Sequence, residues 1–164
     1  RVMDIRLDIR NLTEVTEFIK TLPAGTKKMA LTEIQTYIIG DARHGLKHAP
    51  PYKYVSRKQA YGQSFFTDRQ RKWFFWSLNT GRLQLPYKRT GSLAAAWKRG
   101  EGENSRYITN DAPYASLVQG DNTQSRHSKN IGWRTASQVV RDNIAGALRQ
   151  ANEAVQRWLN SKGR

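Results

Sequence analysis

The C-terminal part of the chain carries a long apolar stripe, and this feature constrains the fold more than any other. Its members recur three or four residues apart: Trp133, Ala136, Val140, Ile144, Leu148, Ala151, Val155 and Trp158. Apolar residues at this spacing lie on one face of an α-helix. The stripe therefore predicts a long helix from Gly132 onward, whose apolar face needs other elements to pack against.

The N-terminal part of the chain predicts one strand and two helices. Residues 2–9 alternate between apolar and charged side chains, which is typical of a half-buried strand. Asn11 and Glu14 form a capping-box pattern, which predicts a short helix with Asn11 as its N-cap. A further apolar stripe predicts a second helix from about Gly25 to Lys47, with Gly40 inside it as a weak point.

Aromatic and basic residues are concentrated in the middle of the chain. Residues 48–66 break the periodicity and are predicted to form an extended basic arm. Thr67 to Gln70 is a second capping-box pattern, which opens a predicted helix ending near Leu78. Four consecutive aromatic residues lie within it: Trp73, Phe74, Phe75 and Trp76. We interpret them as core or as a contact with a neighbouring subunit, in preference to base stacking.

A small antiparallel sheet is predicted beyond the middle. Thr90 and Gly91 have turn chemistry, and the alternation after them predicts a strand over Ser92–Lys98. A Gly-rich loop leads to a second predicted strand, Arg106–Asn110, as in a β-hairpin.

Tyr114–Val118 fits either a short strand or a helical turn, and residues 120–131 are predicted to be a loop. Together these elements predict a single α+β domain over residues 1–164. In it, an N-terminal helical region and a long C-terminal helix pack on the small antiparallel sheet, with a basic aromatic arm and helix at about 48–80.

Positive charge is the strongest global signal. The chain has 28 Lys and Arg against 13 Asp and Glu, a formal net charge of +15, and residues 51–99 contain a single acidic residue, Asp68. Such a field attracts polyanions. Zero cysteines exclude disulfides and thiolate chemistry. With no long apolar run and no signal-peptide pattern at its start, the chain is expected to have no membrane partner.

The search for catalytic or metal-binding patterns finds little. His44 and His48 have helical i,i+4 spacing, but no carboxylate joins them in a metal motif. Gly100 and Gly102 flank Glu101, which would repel phosphate, so they are interpreted as a hairpin tip. We therefore expect no enzyme activity, no metal and no cofactor.

An ordered set of short motifs carries a resemblance to a known family. The motif residues are Tyr87, Arg89, Thr90, Gly91, Leu93 and Trp97, then Asn110, Tyr114, Ala115, Val118, Gln119 and Gly120, then Gln124, His127, Gly132 and Trp133. In this order and spacing, the chain resembles the neck and tail-completion proteins, which join head to tail in long-tailed double-stranded DNA phages.

The resemblance implies a structural virion protein without catalytic residues, located at the neck and assembled in the host cytoplasm. It implies a homo-oligomeric ring, commonly sixfold, that contacts connector or stopper and tail proteins while packaged double-stranded DNA passes through the lumen. Residues expected to act as fold-forming turns and packing positions are Thr90, Gly91, Trp97, Tyr114, Ala115, Gly120 and Trp133.

Two groups in the middle of the chain are expected to contact other molecules. Those facing DNA or an acidic partner are Arg69, Arg71, Lys72, Lys88 and Arg89. Those packing between subunits or against a neighbour are Trp73, Phe75 and Trp76. Charge alone also fits a stand-alone protein that binds DNA without sequence preference. An enzyme is a third possibility without a recognisable site.

Overall fold

The computed structural model describes residues 5–9, 12–41, 43–51, 65–84, 89–102 and 106–162. The elements in chain order are β1 (Ile5–Asp8), α1 (Thr13–Thr21), a 3₁₀ turn (Ala24–Thr26), α2 (Lys27–Ile39), α3 (Asp68–Asn79), α4 (Ser92–Ala95), β2 (Trp97–Glu101), β3 (Arg106–Asn110), α5 (Ala115–Gln119), α6 (Arg126–Ile131) and α7 (Ala136–Lys162). The fold is α+β, with a small antiparallel sheet and a long C-terminal helix, as predicted. The described residues form two compact units, one drawn from Arg1–Ala49 and Gly91–Arg164 and the other from Pro50–Thr90.

The sheet of the first unit has the strand order β1-β3-β2, and both strand pairs are antiparallel. Ile5, Asn110 and Trp97 stand in register across the three strands, and all three are buried. Gln35 of α2 donates hydrogen bonds from Nε2 to the carbonyl oxygens of Gly100 and Tyr107, at 2.9 Å each. This side chain therefore ties α2 to both strands of the β2–β3 hairpin.

Helices α2 and α7 pack along each other and supply much of the core. Ile34, Ile38, Val139 and Ala147 are among the buried residues of these two helices. The predicted C-terminal helix is therefore confirmed, although it begins at Ala136 instead of Gly132. Most of the apolar stripe of α7 is covered, as amphipathic helices of globular proteins require, whereas Trp158 near its end is exposed.

The strand predicted over Ser92–Lys98 is wrong in its first half. Gly91 has a left-handed φ of 77°, and the chain then makes the short helix α4 before β2 begins at Trp97. Leu93 and Trp97 are both buried whereas Ala95 is exposed. Burial thus follows the helical spacing of four residues, which the period-2 alternation obscured. The second predicted strand, Arg106–Asn110, is confirmed.

The helix predicted from Gly25 to Lys47 is also corrected. It starts as a 3₁₀ turn, and α2 ends at Ile39, because Gly40 takes a left-handed φ of 67°. Leu46 then donates a backbone hydrogen bond to Ile38 at 2.9 Å, so the chain folds back on the helix end. A helix needs negative φ throughout, and Gly40 therefore ends α2.

Two smaller expectations differ from the structure, and one open choice is settled. The N-cap of α1 is Leu12, without a side-chain cap, instead of Asn11. Residues 120–131 contain the helix α6, whose N-cap Ser125 accepts a hydrogen bond from the amide of Ser128. The open choice at Tyr114–Val118 is settled by the short helix α5.

The second unit is built around α3, and its N-terminus is the one predicted. Thr67 Oγ1 accepts a hydrogen bond from the amide of Gln70 at 3.1 Å, and Gln70 Oε1 accepts one from the amide of Phe66 at 3.1 Å. The first bond satisfies an amide that a helix start leaves open, and the second ties the residue before the N-cap to the first turn. Most of the predicted arm over residues 48–66 lies outside the described residues.

Candidate binding surface on helix α3

One face of α3 packs inside its own unit. The Phe65 ring lies 5.3 Å from the Phe74 ring and 5.7 Å from the Phe75 ring, measured between centroids, and the latter pair meets edge to face. Ser77 and Leu78 follow on the helix and are buried. Aromatic rings in such tilted or edge-to-face contacts stabilise each other beyond simple burial. This inner face holds α3 in place.

The opposite face of α3 presents two indoles and two cations to solvent. Arg69, Lys72, Trp73 and Trp76 follow the spacing i, i+3, i+4 and i+7, which places them on one stripe of the helix. Trp73 is 61% exposed and Trp76 is 47% exposed, while Arg69 and Lys72 are exposed as well. Two large apolar rings held outward in this way are typical of an interaction surface.

The chain after α3 returns a third cation to this stripe. Gly81 has a left-handed φ of 72°, and Leu83 donates a backbone hydrogen bond to Ser77 at 3.0 Å. The reversal brings the guanidinium carbon of Arg82 to 4.5 Å from the centroid of the Trp76 ring. A guanidinium in this position is attracted by the ring quadrupole. Its planar fork of N–H donors suits bidentate recognition of anions.

We call these five residues the cation–indole face: Arg69, Lys72, Trp73, Trp76 and Arg82. The described segment 65–84 has four basic residues and a single acidic one, Asp68. That carboxylate is at the first residue of α3, where a negative charge complements the positive end of the helix dipole. The face therefore has a positive field around two accessible aromatic rings.

The packing group predicted from the sequence is divided between the two sides of α3. Trp73 and Trp76 point outward, whereas Phe75 belongs to the ring cluster with Phe65 and Phe74. The interpretation of the aromatic run as core is therefore wrong for the two indoles. A contact between Trp73 or Trp76 and a neighbour stays a prediction.

The predicted cationic group is also not uniform. Arg69, Arg71 and Lys72 are exposed on α3. Arg89 is half-buried, and its guanidinium donates a hydrogen bond to the carbonyl oxygen of Pro50. Lys88 lies outside the described residues. Arg82 was not among the predicted site residues. The sequence feature that points to it is Gly81, which indicates a turn just after the helix.

The motif residues of the first unit form an internal hydrogen-bond network. Trp97 Nε1 donates to Gln119 Oε1 at 3.3 Å, and Gln119 Nε2 donates to the carbonyl of Leu46 at 3.4 Å. Asn110, fully buried, donates from Nδ2 to the carbonyl of Leu93 at 2.9 Å. Buried polar side chains satisfied in this way join separate segments of the chain.

The remaining motif positions also serve the fold. The Tyr114 hydroxyl donates to Ser92 Oγ at 2.9 Å, and Ala115 is fully buried. A β-carbon at Gly120 would lie 2.2 Å from Thr123 Oγ1, so the turn after α5 has no room for a side chain. Trp133 is packed against the core, and its carbonyl accepts a hydrogen bond from Gln124. The family role expected for these positions stays a prediction.

The only histidine arrangement singled out from the sequence does not form a helical pair. His44 lies in the loop after α2, with its Nδ1 3.3 Å from Asp41 Oδ1 and its ring 4.8 Å from the Tyr37 ring. A hydrogen bond from the backbone of Arg43 lowers the pKa of Asp41. Within the described ranges, no three His, Asp or Glu side chains come close enough together to hold a metal ion.

Several carboxylates of the first unit are paired with cations. Glu101 lies 3.2 Å from Lys28 Nζ and 2.7 Å from Arg106 Nη2. The hydrogen bond from Lys28, with the nearby Arg106 charge, lowers the pKa of Glu101. Asp111 lies 2.7 Å from Lys98 Nζ, and this hydrogen bond lowers the pKa of Asp111. The Glu101–Lys28 pair ties the hairpin to α2, whereas the Glu101–Arg106 pair joins its two strands.

Comparisons with known proteins identify no relative: no family model, curated protein or solved structure matches the chain. In the part of the chain that the structure describes, none of the helices combines the length and the apolar character needed to cross a bilayer.

Proposed function

We propose that this chain is a non-enzymatic structural protein of a phage neck. In this role it assembles as a ring, sixfold in the simplest form, around the DNA passage between the head connector and the tail. Its partners are further copies of itself, connector or stopper proteins, tail proteins and the packaged double-stranded DNA. The proposed location is the virion.

The observation that carries this proposal is the ordered motif set between residues 87 and 133. Its distinctive side chains, among them Trp97, Asn110 and Gln119, are used in internal packing and hydrogen bonds. Residues occupied in this way define a shape, and they are not poised for proton transfer or nucleophilic attack. A protein that works by shape and charge is consistent with this arrangement.

Charge sets a physical condition on such a ring. Six copies of a +15 chain would bring together about ninety positive charges. Their repulsion needs DNA, acidic neighbours or salt to offset it. A ring closes through heterologous contacts between neighbouring copies. These contacts would therefore have to form while such counter-charges are present.

Electron microscopy of purified particles tests the proposal directly. Labelled antibody fragments against this chain should decorate the junction between portal and tail, with several copies per particle. If mass spectrometry of purified virions detects the connector and tail proteins but not this chain, the proposal is wrong.

A second function is favoured by the cation–indole face. Exposed cations next to aromatic rings are also found in proteins that bind DNA by themselves without sequence preference. Gel-shift titrations of the isolated chain over a series of salt concentrations separate the two functions. Submicromolar binding by the monomer at moderate salt, together with absence from particles, would support this function over the ring.

A further inference from the structure

We propose that the cation–indole face binds an unpaired nucleic-acid strand, with bases stacked on the indoles and phosphates next to the cations. Trp73 and Trp76 provide the stacking surfaces, and Arg69, Lys72 and Arg82 provide the phosphate contacts. This inference applies whether the chain works in a ring or alone, since all five residues belong to the same compact unit.

The charge of the face selects an anionic occupant. Arg69, Lys72 and Arg82 are exposed, and Asp68 is the sole acidic residue in the described segment 65–84. A second copy of the same face would repel it, because like charges would be brought together around the indoles. The strongly positive balance of the entire chain, +15, acts in the same direction.

The mixture of cations and rings favours a nucleic-acid strand over an acidic protein. Each nucleotide brings one phosphate and one aromatic base, and the face offers the same two components in nearly equal number, three cations and two indoles. The core of a protein interface is instead depleted in charge, and lysine in particular is disfavoured there. An acidic protein would need a carboxylate opposite each cation flanking the indoles.

The spacing of the rings fits neighbouring bases on one strand. Trp73 and Trp76 are three residues apart on α3, which is about 4.5 Å along the axis at 1.5 Å per residue. Successive bases on one strand are separated by about 3.4 Å when stacked, and by more when the strand is extended. The guanidinium carbon of Arg82 lies over the Trp76 ring, 4.5 Å from its centroid, which places this cation next to a stacking surface, where the phosphate of a bound nucleotide would lie.

A duplex would use this face only in part. Its bases are stacked inside the helix, so the phosphates remain accessible to Arg69 and Lys72 while the indoles gain no base surface. Discrimination between unpaired and paired strands is therefore the property that distinguishes stacking from general attraction to polyanions.

Binding of the full chain to labelled oligo(dT), compared with a duplex of equal length, tests the proposal. Fluorescence anisotropy with strands of about 12 nucleotides at about 0.2 M salt should show at least about tenfold tighter binding of oligo(dT). The double variant Trp73→Ala/Trp76→Ala should lose this preference, so its oligo(dT) affinity should fall by the size of the preference, at least about tenfold, to about that of the duplex. Its affinity for the duplex should change by less than about twofold, because its cations are unchanged.

The chain offers a matched control for the indole variants. Trp158 of α7 is another exposed indole, 37% accessible, with the Lys162 ammonium 5.8 Å from its ring centroid. Trp158→Ala should leave the affinities for oligo(dT) and for the duplex unchanged. Arg69→Gln/Lys72→Gln should instead weaken binding to both oligo(dT) and the duplex. The slope of log affinity against log salt concentration should fall by the equivalent of about two phosphate contacts.

Circular dichroism should first establish that each variant is folded. If Trp76→Ala unfolds the second unit, Trp73→Ala and Trp73→Phe answer the question by themselves, because phenylalanine keeps a ring for stacking. The proposal is overturned if oligo(dT) and the duplex bind equally, or if Trp158→Ala lowers oligo(dT) affinity as much as Trp73→Ala does. It is also overturned if poly-glutamate competes as well as oligo(dT) at equal charge. None of these three results depends on whether the chain is found in particles.

Discussion

Gly146 of α7 faces the ring of Tyr37 of α2 so closely that a β-carbon at Gly146 would lie 2.4 Å from the Tyr37 hydroxyl oxygen. The same β-carbon would lie 2.7 Å from the ring carbon that carries the hydroxyl. Glycine inside a helix ordinarily lowers its stability relative to alanine. Here its missing side chain makes room for an aromatic ring of the helix packed against it.

We predict that Gly146→Ala destabilises the protein although it raises the helix propensity of α7. Overpacking costs typically 1–3 kcal/mol, whereas the gain in propensity is about 1 kcal/mol, so the free energy of unfolding should fall by about 1 kcal/mol. Urea denaturation followed by circular dichroism measures it. Ala145→Gly, at the exposed neighbouring position, isolates the propensity term; a more stable Gly146→Ala variant would contradict the close packing.

The buried side chain of Gln119 is predicted to stabilise the contact between β2 and α5. The substitution Gln119→Met keeps a similar side-chain volume but removes the oxygen that accepts the 3.3 Å hydrogen bond from Trp97 Nε1. A buried donor left unsatisfied costs about 1–3 kcal/mol. Equilibrium unfolding in urea should show a loss of this size, whereas Gln156→Met at an exposed position of α7 should change little. Equal effects of the two variants would contradict the role of the network.

Local signals in the sequence were sufficient for much of the fold. The stripe from Trp133 to Trp158 predicts α7, and Thr67 with Gln70 predicts the start of α3, because periodicity and capping act within a few residues. The end of α2 was missed because Gly40 is tolerated inside a helix as well as after one. In the structure, the left-handed φ of Gly40 and the backbone hydrogen bond from Leu46 to Ile38 show that α2 ends there.

The candidate surface was predictable only in part. Arg69, Lys72, Trp73 and Trp76 share a helical stripe, and this spacing is visible in the sequence. The position of Arg82 depends on the reversal after α3, so it required the structure. Which of the four aromatic rings face inward depends on what packs against α3. Four consecutive aromatic residues in a sequence do not indicate this.

Acid should remove the contribution of the Glu101 ion pairs. Lys28 and Arg106 lower the pKa of Glu101, so the folded state favours its ionised form more than the unfolded state does. A depressed folded-state pKa gives stability that is present above the ordinary value of 4.5 and is lost as pH falls through the folded-state pKa.

Glu101→Gln is therefore expected to lower the thermal midpoint near neutral pH and to have a vanishing effect at the acid end of the range. Thermal melts of both proteins across that range measure the difference. Glu153→Gln removes the same charge at an exposed position of α7 and controls for the change in net charge. A Glu101→Gln effect that stays constant down to the most acidic point would contradict the ion-pair explanation.

The cap at Thr67 is predicted to control how firmly α3 presents its outer face. Thr67→Ala removes the acceptor of the Gln70 amide hydrogen bond, and loss of an N-cap costs about 1 kcal/mol. Amide exchange in the first turn of α3 should accelerate about fivefold, while exchange in α7 stays unchanged, since 1.4 kcal/mol corresponds to tenfold. Thr67→Ser keeps a hydroxyl acceptor and should exchange nearly as slowly as the original protein. If Thr67→Ser accelerates exchange as much as Thr67→Ala does, the hydrogen bond is not what holds the helix start, and the orientation of Trp73 above it depends on the ring cluster instead.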